Sequence, residues 1–159
     1  SVLRDAHFAV VSTNYDVQNT PLEGLVRPYV VLTRAGVRVG ILGVGVNPKG
    51  LIAEKNFYPL RYLEPIPVVQ KAADDLKKNH KCDVVICLSH LGTDAVSDEQ
   101  ISDVALAKAT RNIDVIVGGH THKLVTNRYV ENLDGDSVLL SQMGKSGARI
   151  GKILLKIAE

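Results

Sequence analysis

Short runs of β-branched and aliphatic residues recur along the chain, and two of them are apolar at every position: Val84-Val-Ile-Cys-Leu88 and Val115-Ile-Val117. Runs of this kind mark strands buried on both faces. Each then breaks into a glycine-bearing loop that carries histidine, Ser89-His-Leu-Gly92 after the first and Gly118-Gly-His-Thr-His122 after the second. Upstream, Phe8–Ser12 reads as a strand running into the polar loop Thr13–Asp16. Tyr29–Thr33 and Val37–Leu42 flank Arg34-Ala-Gly36, a hairpin with its glycine where positive φ is wanted. Residues 49–64 lack clean periodicity and are expected to form a long loop. Pro67 suits the first turn of a helix whose apolar face is Val68, Val69, Ala72, Ala73 and Leu76, ending near His80. Ser97-Asp-Glu-Gln100 has capping-box spacing ahead of a second helix with Ile101, Val104, Ala105 and Ala109 on its apolar side. Leu124–Glu131 and Val138–Gln142 pair around Asn132-Leu-Asp-Gly135, and Arg149–Ile157 alternates well enough for a closing strand with one solvated face.

Strands alternating with helices in the middle, and antiparallel hairpins at both ends, predict an α/β layered structure with a mixed sheet. The length of 159 residues fits one domain, 1–159. The two helices would cover one face of the sheet. The other face needs a cover that the chain does not obviously contain, and a second sheet is the natural candidate.

Charge narrows the partners. A net charge of +2, with Lys and Arg scattered, gives no argument for a nucleic-acid polymer or an anionic membrane. No apolar run approaches the roughly 20 residues of a membrane span. Cys82 and Cys87 flank or lie in one extended strand, too far apart for a disulfide, and read as buried thiols. They leave the compartment open. The chain opens on Ser1-Val-Leu, without an initiator Met or a signal peptide, so a processed, split or partial product is expected.

A histidine at a strand end is more often a hydrogen-bonded structural residue than a ligand. Gly-Gly-His-x-His is sharper, because two imidazoles spaced for one cavity, on a backbone that can approach closely, suit a metal. His120 and His122 can share a cavity, and His90 reaches it if the two strands are neighbours. These nitrogen donors are half of a two-metal site.

Leu88-Ser-His-Leu-Gly92 and Gly118-Gly-His-Thr-His122 resemble the last two signatures of the calcineurin-like metallophosphoesterases, in their 5′-nucleotidase branch. Phe8-Ala-Val-Val-Ser-Thr-Asn14, Gly36–Gly43, Phe57–Ile66, Val138–Gly144 and Gly151–Leu155 are similar to further segments of that family, so the resemblance runs along essentially the whole chain. It implies the carboxyl-terminal half of the catalytic domain, a mixed-sheet layer of an αββα sandwich. His90 and His120 would bind one divalent ion and His122 its partner ion, the two about 3.5–4 Å apart, with Zn, Mn, Mg, Fe and Ca not distinguished. Asn14 and Asn47 would sit near the substrate mouth, or form Asx turns. The bridging carboxylate, the remaining ligands and the catalytic His belong to signatures expected upstream of Ser1, so no catalytic residue is assigned in this chain. Asp5-Ala-His7 precedes a strand instead of ending one and reads as accidental, and His80 reads as a solvated cation near a helix end.

The resemblance thus implies a hydrolase of phosphomonoesters, nucleoside 5′-monophosphates first, completed by an N-terminal half or a partner chain that supplies it. It also implies a periplasmic or secreted location. Tyr15, Phe57, Tyr58 and Tyr62 could stack a base, though packing is the commoner use of such rings. The alternative is a non-catalytic remnant or split subunit acting as a metal- or partner-binding module.

Overall fold

A computed structural model describes residues 2–95, 97 and 100–157, and among these residues the chain forms ten strands. In chain order the strands and helices are β1 (Val10–Val11), β2 (Tyr15–Asp16), β3 (Val26–Arg27), β4 (Tyr29–Arg34), β5 (Val37–Gly45), β6 (Arg61–Tyr62), α1 (Pro65–Lys78), β7 (Val84–His90), α2 (Asp103–Ala109), β8 (Val115–Val117), β9 (Leu124–Glu131) and β10 (Ser137–Met143). Six strands make a mixed sheet in the order β4-β5-β7-β8-β10-β9. The inner four are parallel, and the antiparallel β4 and β9 close the two edges. The α/β mixed-sheet class expected from the sequence is the class observed.

Register explains the core. Leu42 pairs with Cys87, Cys87 with Ile116, and Ile116 with Leu140, so one continuous apolar row crosses the four inner strands on one face. All four side chains are fully buried. Val69, Ala72, Ala73 and Leu76 of α1, with Leu106 and Ala107 of α2, cover this row. Pro65 opens α1, where its missing N–H costs nothing. The α1 face matches the predicted one, with Val68 only half-buried.

The opposite face is different. Leu88 and Val117 are register partners on β7 and β8, and they remain 44% and 38% exposed. The short parallel pair β1–β3 crosses only the β5 end of this face, where the Val11 carbonyl lies so close to Gly43 that a Cβ there would come within 2.5 Å of it. An open trough lined by Phe8, Val10, Val11, Leu88 and Val117 remains, and it runs up to His90.

Several expectations are corrected. The first strand is only Val10–Val11, with Phe8 exposed, because its sole partner is the two-residue β3. Residues 49–64 are not a plain loop: Glu54–Asn56 form a 3₁₀ turn, and β6 pairs antiparallel with β2. The second helix begins at Asp103, capped by the Ser102 hydroxyl, which accepts from the Ala105 N–H at 3.2 Å. Asp98 and Glu99 of the expected capping box lie outside the described residues. Among the described residues of 149–157 there is no strand, and Ile150, Leu154, Leu155 and Ile157 are exposed. Alternation was legible there, but pairing needs a neighbouring strand. Cys82 and Cys87 are buried free thiols, and burial pushes both thiols up from their ordinary pKa. Among the described residues no helix is long and apolar enough to cross a membrane.

An uncovered apolar face should drive association. Residues 1–159 alone are expected to sediment as oligomers, and replacing Leu88 and Val117 together by Lys should shift the distribution to monomer. An oligomer distribution unchanged by the double substitution would place the contact elsewhere.

Candidate metal centre

The parallel register sets the carboxyl ends of β5, β7 and β8 along one edge, with Gly45 opposite His90. Ligand sites in open α/β sheets form at this edge. Alternation along β7 puts His90 on the same face as Leu88, at the head of the open trough. The β8 strand ends at Val117, and the chain turns through Gly118 and Gly119 into His120. Both glycines sit at close approaches. A Cβ at Gly119 would come within 3.0 Å of His90 Nδ1, and one at Gly118 within 2.5 Å of Asp103 Oδ2.

The consequence is a histidine pair. The His90 and His120 rings stand edge to face with centroids 5.2 Å apart. His120 and His122 adopt φ of 71° and 56°, left-handed backbone that costs a non-glycine residue on the order of 1 kcal/mol each. His122 is exposed. Burial first, then the neighbouring His120 and His122, hold the His90 pKa below its ordinary value, which favours the neutral imidazole. Neutral imidazole nitrogen suits a borderline divalent ion. Among the described residues, however, no group of three or more His, Cys, Asp or Glu side chains is placed to hold one.

Beneath the histidine loops lies a buried polar layer that the sequence reading missed. Ser89, Thr93, Asp103 and Gln142 are each less than a tenth exposed. Ser89 Oγ donates to Asp103 Oδ1 and accepts from the Leu91 N–H at 3.1 Å. Gln142 bonds to Thr93, Thr121 and the Lys123 backbone. At the surface, Asp94 pairs with Lys123 at 3.1 Å and with Arg128 at 2.7 Å. The available signal was polar Ser89 and Gln142 standing at core-facing pitch in mostly apolar strands.

Asn14 and Asn47 flank the carboxyl end of β5, whose Gly45 pairs with His90. Asn14 is fully buried, and its side chain is spent on Gly45, donating to the carbonyl at 2.8 Å and accepting from the N–H at 2.9 Å. Asn47 forms an Asx turn, accepting from the Lys49 N–H at 3.0 Å, and borders a cavity of about 770 Å³ with Tyr62, Leu91 and Ile101. Tyr15 and Tyr62 pack on each other, centroids 6.1 Å apart, while Tyr58 is exposed. His80 is not simply solvated: its ring packs edge-on to Tyr29 at 5.5 Å and sits 3.7 Å from Asp75. His7 is exposed.

No family model matches the chain. An apyrase of Tabanus yao is 30% identical over 168 residues, covering 94% of this chain and 28% of that protein. The trifunctional nucleotide phosphoesterase protein YfkN of Bacillus subtilis is 24% identical over 92% of this chain and 10% of its own length. The crystal structure of a 5′-nucleotidase precursor from Thermus thermophilus superposes with a TM-score of 0.74 and 33% identity, covering 88% of this chain and 29% of that one. The chain is related to the 5′-nucleotidase branch of the calcineurin-like phosphoesterases. It spans less than a third of the length of these relatives. Its 5′-nucleotidase-like fold is the mixed sheet described above.

The buried Asp103 gives this 5′-nucleotidase-type sheet a pH signature. Burial raises its pKa to about 6, against the lowering effect of the Ser89 hydrogen bond. A carboxyl raised in the fold binds its proton more tightly than in the unfolded chain, so stability falls as pH rises from about 4 to above 6. Asp103→Asn keeps the shape without the charge. In chemical denaturation of the protein that carries this chain, the variant should gain on the wild type over that window, by about 3 kcal/mol at most at pH 7. A parallel pH dependence of the two proteins would contradict the buried charge.

Proposed function

We propose that this chain is the carboxyl-terminal part, residues 1–159, of a metal-dependent phosphoesterase domain that hydrolyses phosphomonoesters, nucleoside 5′-monophosphates first. The observation that carries the reading is the His90–His120 ring pair, 5.2 Å apart at the carboxyl edge of the parallel strands. The relationship to nucleotidases, an apyrase and nucleotide phosphoesterases supports the substrate class.

In this reading His90 and His120 hold one divalent ion and His122 the second. Bound ions supply positive charge that polarises the phosphate and lowers the barrier to hydrolysis. The chain's own part is to orient. Gly119 lets the backbone just before His120 pass close to the His90 ring, Gly118 lies against Asp103, and the buried layer of Ser89, Asp103 and Gln142 fixes the loops from below. Asn14 and Asn47 hold the loops around β5 through their backbone hydrogen bonds, and substrate contact by Asn47 would be made from the rim of the neighbouring cavity. The missing ligands, among them the carboxylate that three imidazoles cannot replace, come from an N-terminal half or a partner chain. A periplasmic or secreted location accompanies this reading.

The second reading is a module that binds a partner without catalysis. It is favoured by the incomplete donor set and by the exposed Leu88 and Val117. Phosphate release from a nucleoside 5′-monophosphate, assayed with the protein that carries this chain, separates the two. Activity should require a divalent cation and vanish on chelation. His120→Ala should lose on the order of a hundredfold or more, since residues of a metal centre act as a unit. His7→Ala, at an exposed site, should stay near wild type. Equal activity of the two variants, or activity untouched by chelation, would remove the metal assignment.

A further inference from the structure

We infer that Gln142 is the positioning residue that sets the spacing between His90 and the His120–His122 segment, an inference that rests on the metal reading above. Gln142 stands on β10, one strand beyond the histidine loops, and is 2% exposed. Its amide is spent entirely between two loops. Nε2 donates to Thr93 Oγ1 at 2.9 Å, on the loop that follows His90. It also lies 3.2 Å from Thr121 Oγ1, the residue between the two later histidines. Oε1 accepts from the Lys123 N–H at 2.8 Å, directly after His122.

One rigid group therefore bridges the loops that carry all three imidazoles. Its side-chain hydrogen bonds go to Thr93, Thr121 and Lys123, not to the imidazoles. Its reach is also what the backbone there needs. His120 and His122 both hold left-handed φ, and such a conformation persists only where the surroundings over-determine it. Gln142 clamps the segment at Thr121 and at Lys123, on either side of His122. The β10 register supplies a fixed base, because the strand pairs with β8 on one side and β9 on the other. The Asp94–Lys123 ion pair spans the same gap, but it is exposed, and solvent screens it. Only an amide side chain of this length offers two donors and an acceptor at one point. Methionine fills similar volume but offers no donor and only a weak acceptor, so the part-buried Lys123 N–H loses its amide partner.

The experiment compares Gln142→Met with Val138→Ala in the full protein that carries this chain, using Co²⁺ as the probe. Val138 is a fully buried core residue on the same strand, so its truncation destabilises the sheet without touching the loops. Co²⁺ affinity by calorimetry should fall about 10–100-fold in Gln142→Met, the range for residues that orient metal ligands, and stay within about twofold in Val138→Ala. In the metal-free protein, hydrogen exchange at the Lys123 amide should accelerate in Gln142→Met and not in Val138→Ala. If Gln142→Met does not fold, Thr93→Val removes one arm of the bridge, and a several-fold loss of Co²⁺ affinity is expected. Wild-type affinity and exchange in the folded Gln142→Met variant, or wild-type Co²⁺ affinity in Thr93→Val, would overturn the positioning role while leaving the metal reading intact. A wild-type protein that binds no Co²⁺ would instead remove the metal reading and this inference with it.

Discussion

The pairing of β5, β7, β8 and β10 in one parallel register is the constraint on which the rest depends. It aligns Leu42, Cys87, Ile116 and Leu140 into a single buried row, and α1 and α2 pack on that row. The same register fixes where the strands end. A slip of one residue in β7 would turn Leu88 and His90 to the helix-covered face and bring Cys87 and Ser89 out. The apolar row therefore decides the position of the histidine loops, although no residue of the row approaches them in chemistry.

One step towards the carboxyl edge, the layer changes character. Ser89, Thr93, Asp103 and Gln142 replace aliphatic side chains, each buried and each hydrogen-bonded. Buried polar groups of this kind are costly unless they are satisfied, and once satisfied they hold geometry more tightly than packing alone. Here they support a loop whose two histidines sit in strained backbone. The raised pKa of Asp103 records the cost on the stability side. The face that carries His90 is left open, with Leu88 and Val117 half-exposed beside it.

The central architecture was legible because its signal is local. Val84–Leu88 and Val115–Val117 are apolar at every position, short, rich in β-branched residues and followed by glycine, which together select a strand whose two faces both call for a cover. The α1 face and the hairpin turn with Gly36 at positive φ were equally direct, whereas the left-handed Ala35 beside it was not foreseen. What was hidden depends on distant partners. The β2–β6 pair joins residues far apart in sequence, so residues 49–64 read as loop. The alternation over Arg149–Ile157 had no neighbouring strand to pair with among the described residues. Asn14 looked like a loop residue because its partner, the Gly45 backbone, lies on another strand. Gln142 was visible only as a polar residue beside Ser141 at the end of a mostly apolar strand, and its meaning comes from Thr93, Thr121 and Lys123 meeting it in space.

X-ray absorption on the protein that carries this chain, loaded with Zn²⁺, tests the central claim most directly. Ions held by His90, His120 and His122 should give imidazole scattering with Zn–N distances of about 2.0–2.1 Å, and that signal should weaken when His120 is replaced by Ala. Bound zinc without imidazole in its shell, or a shell indifferent to His120, would contradict the claim that this strand edge is a metal centre.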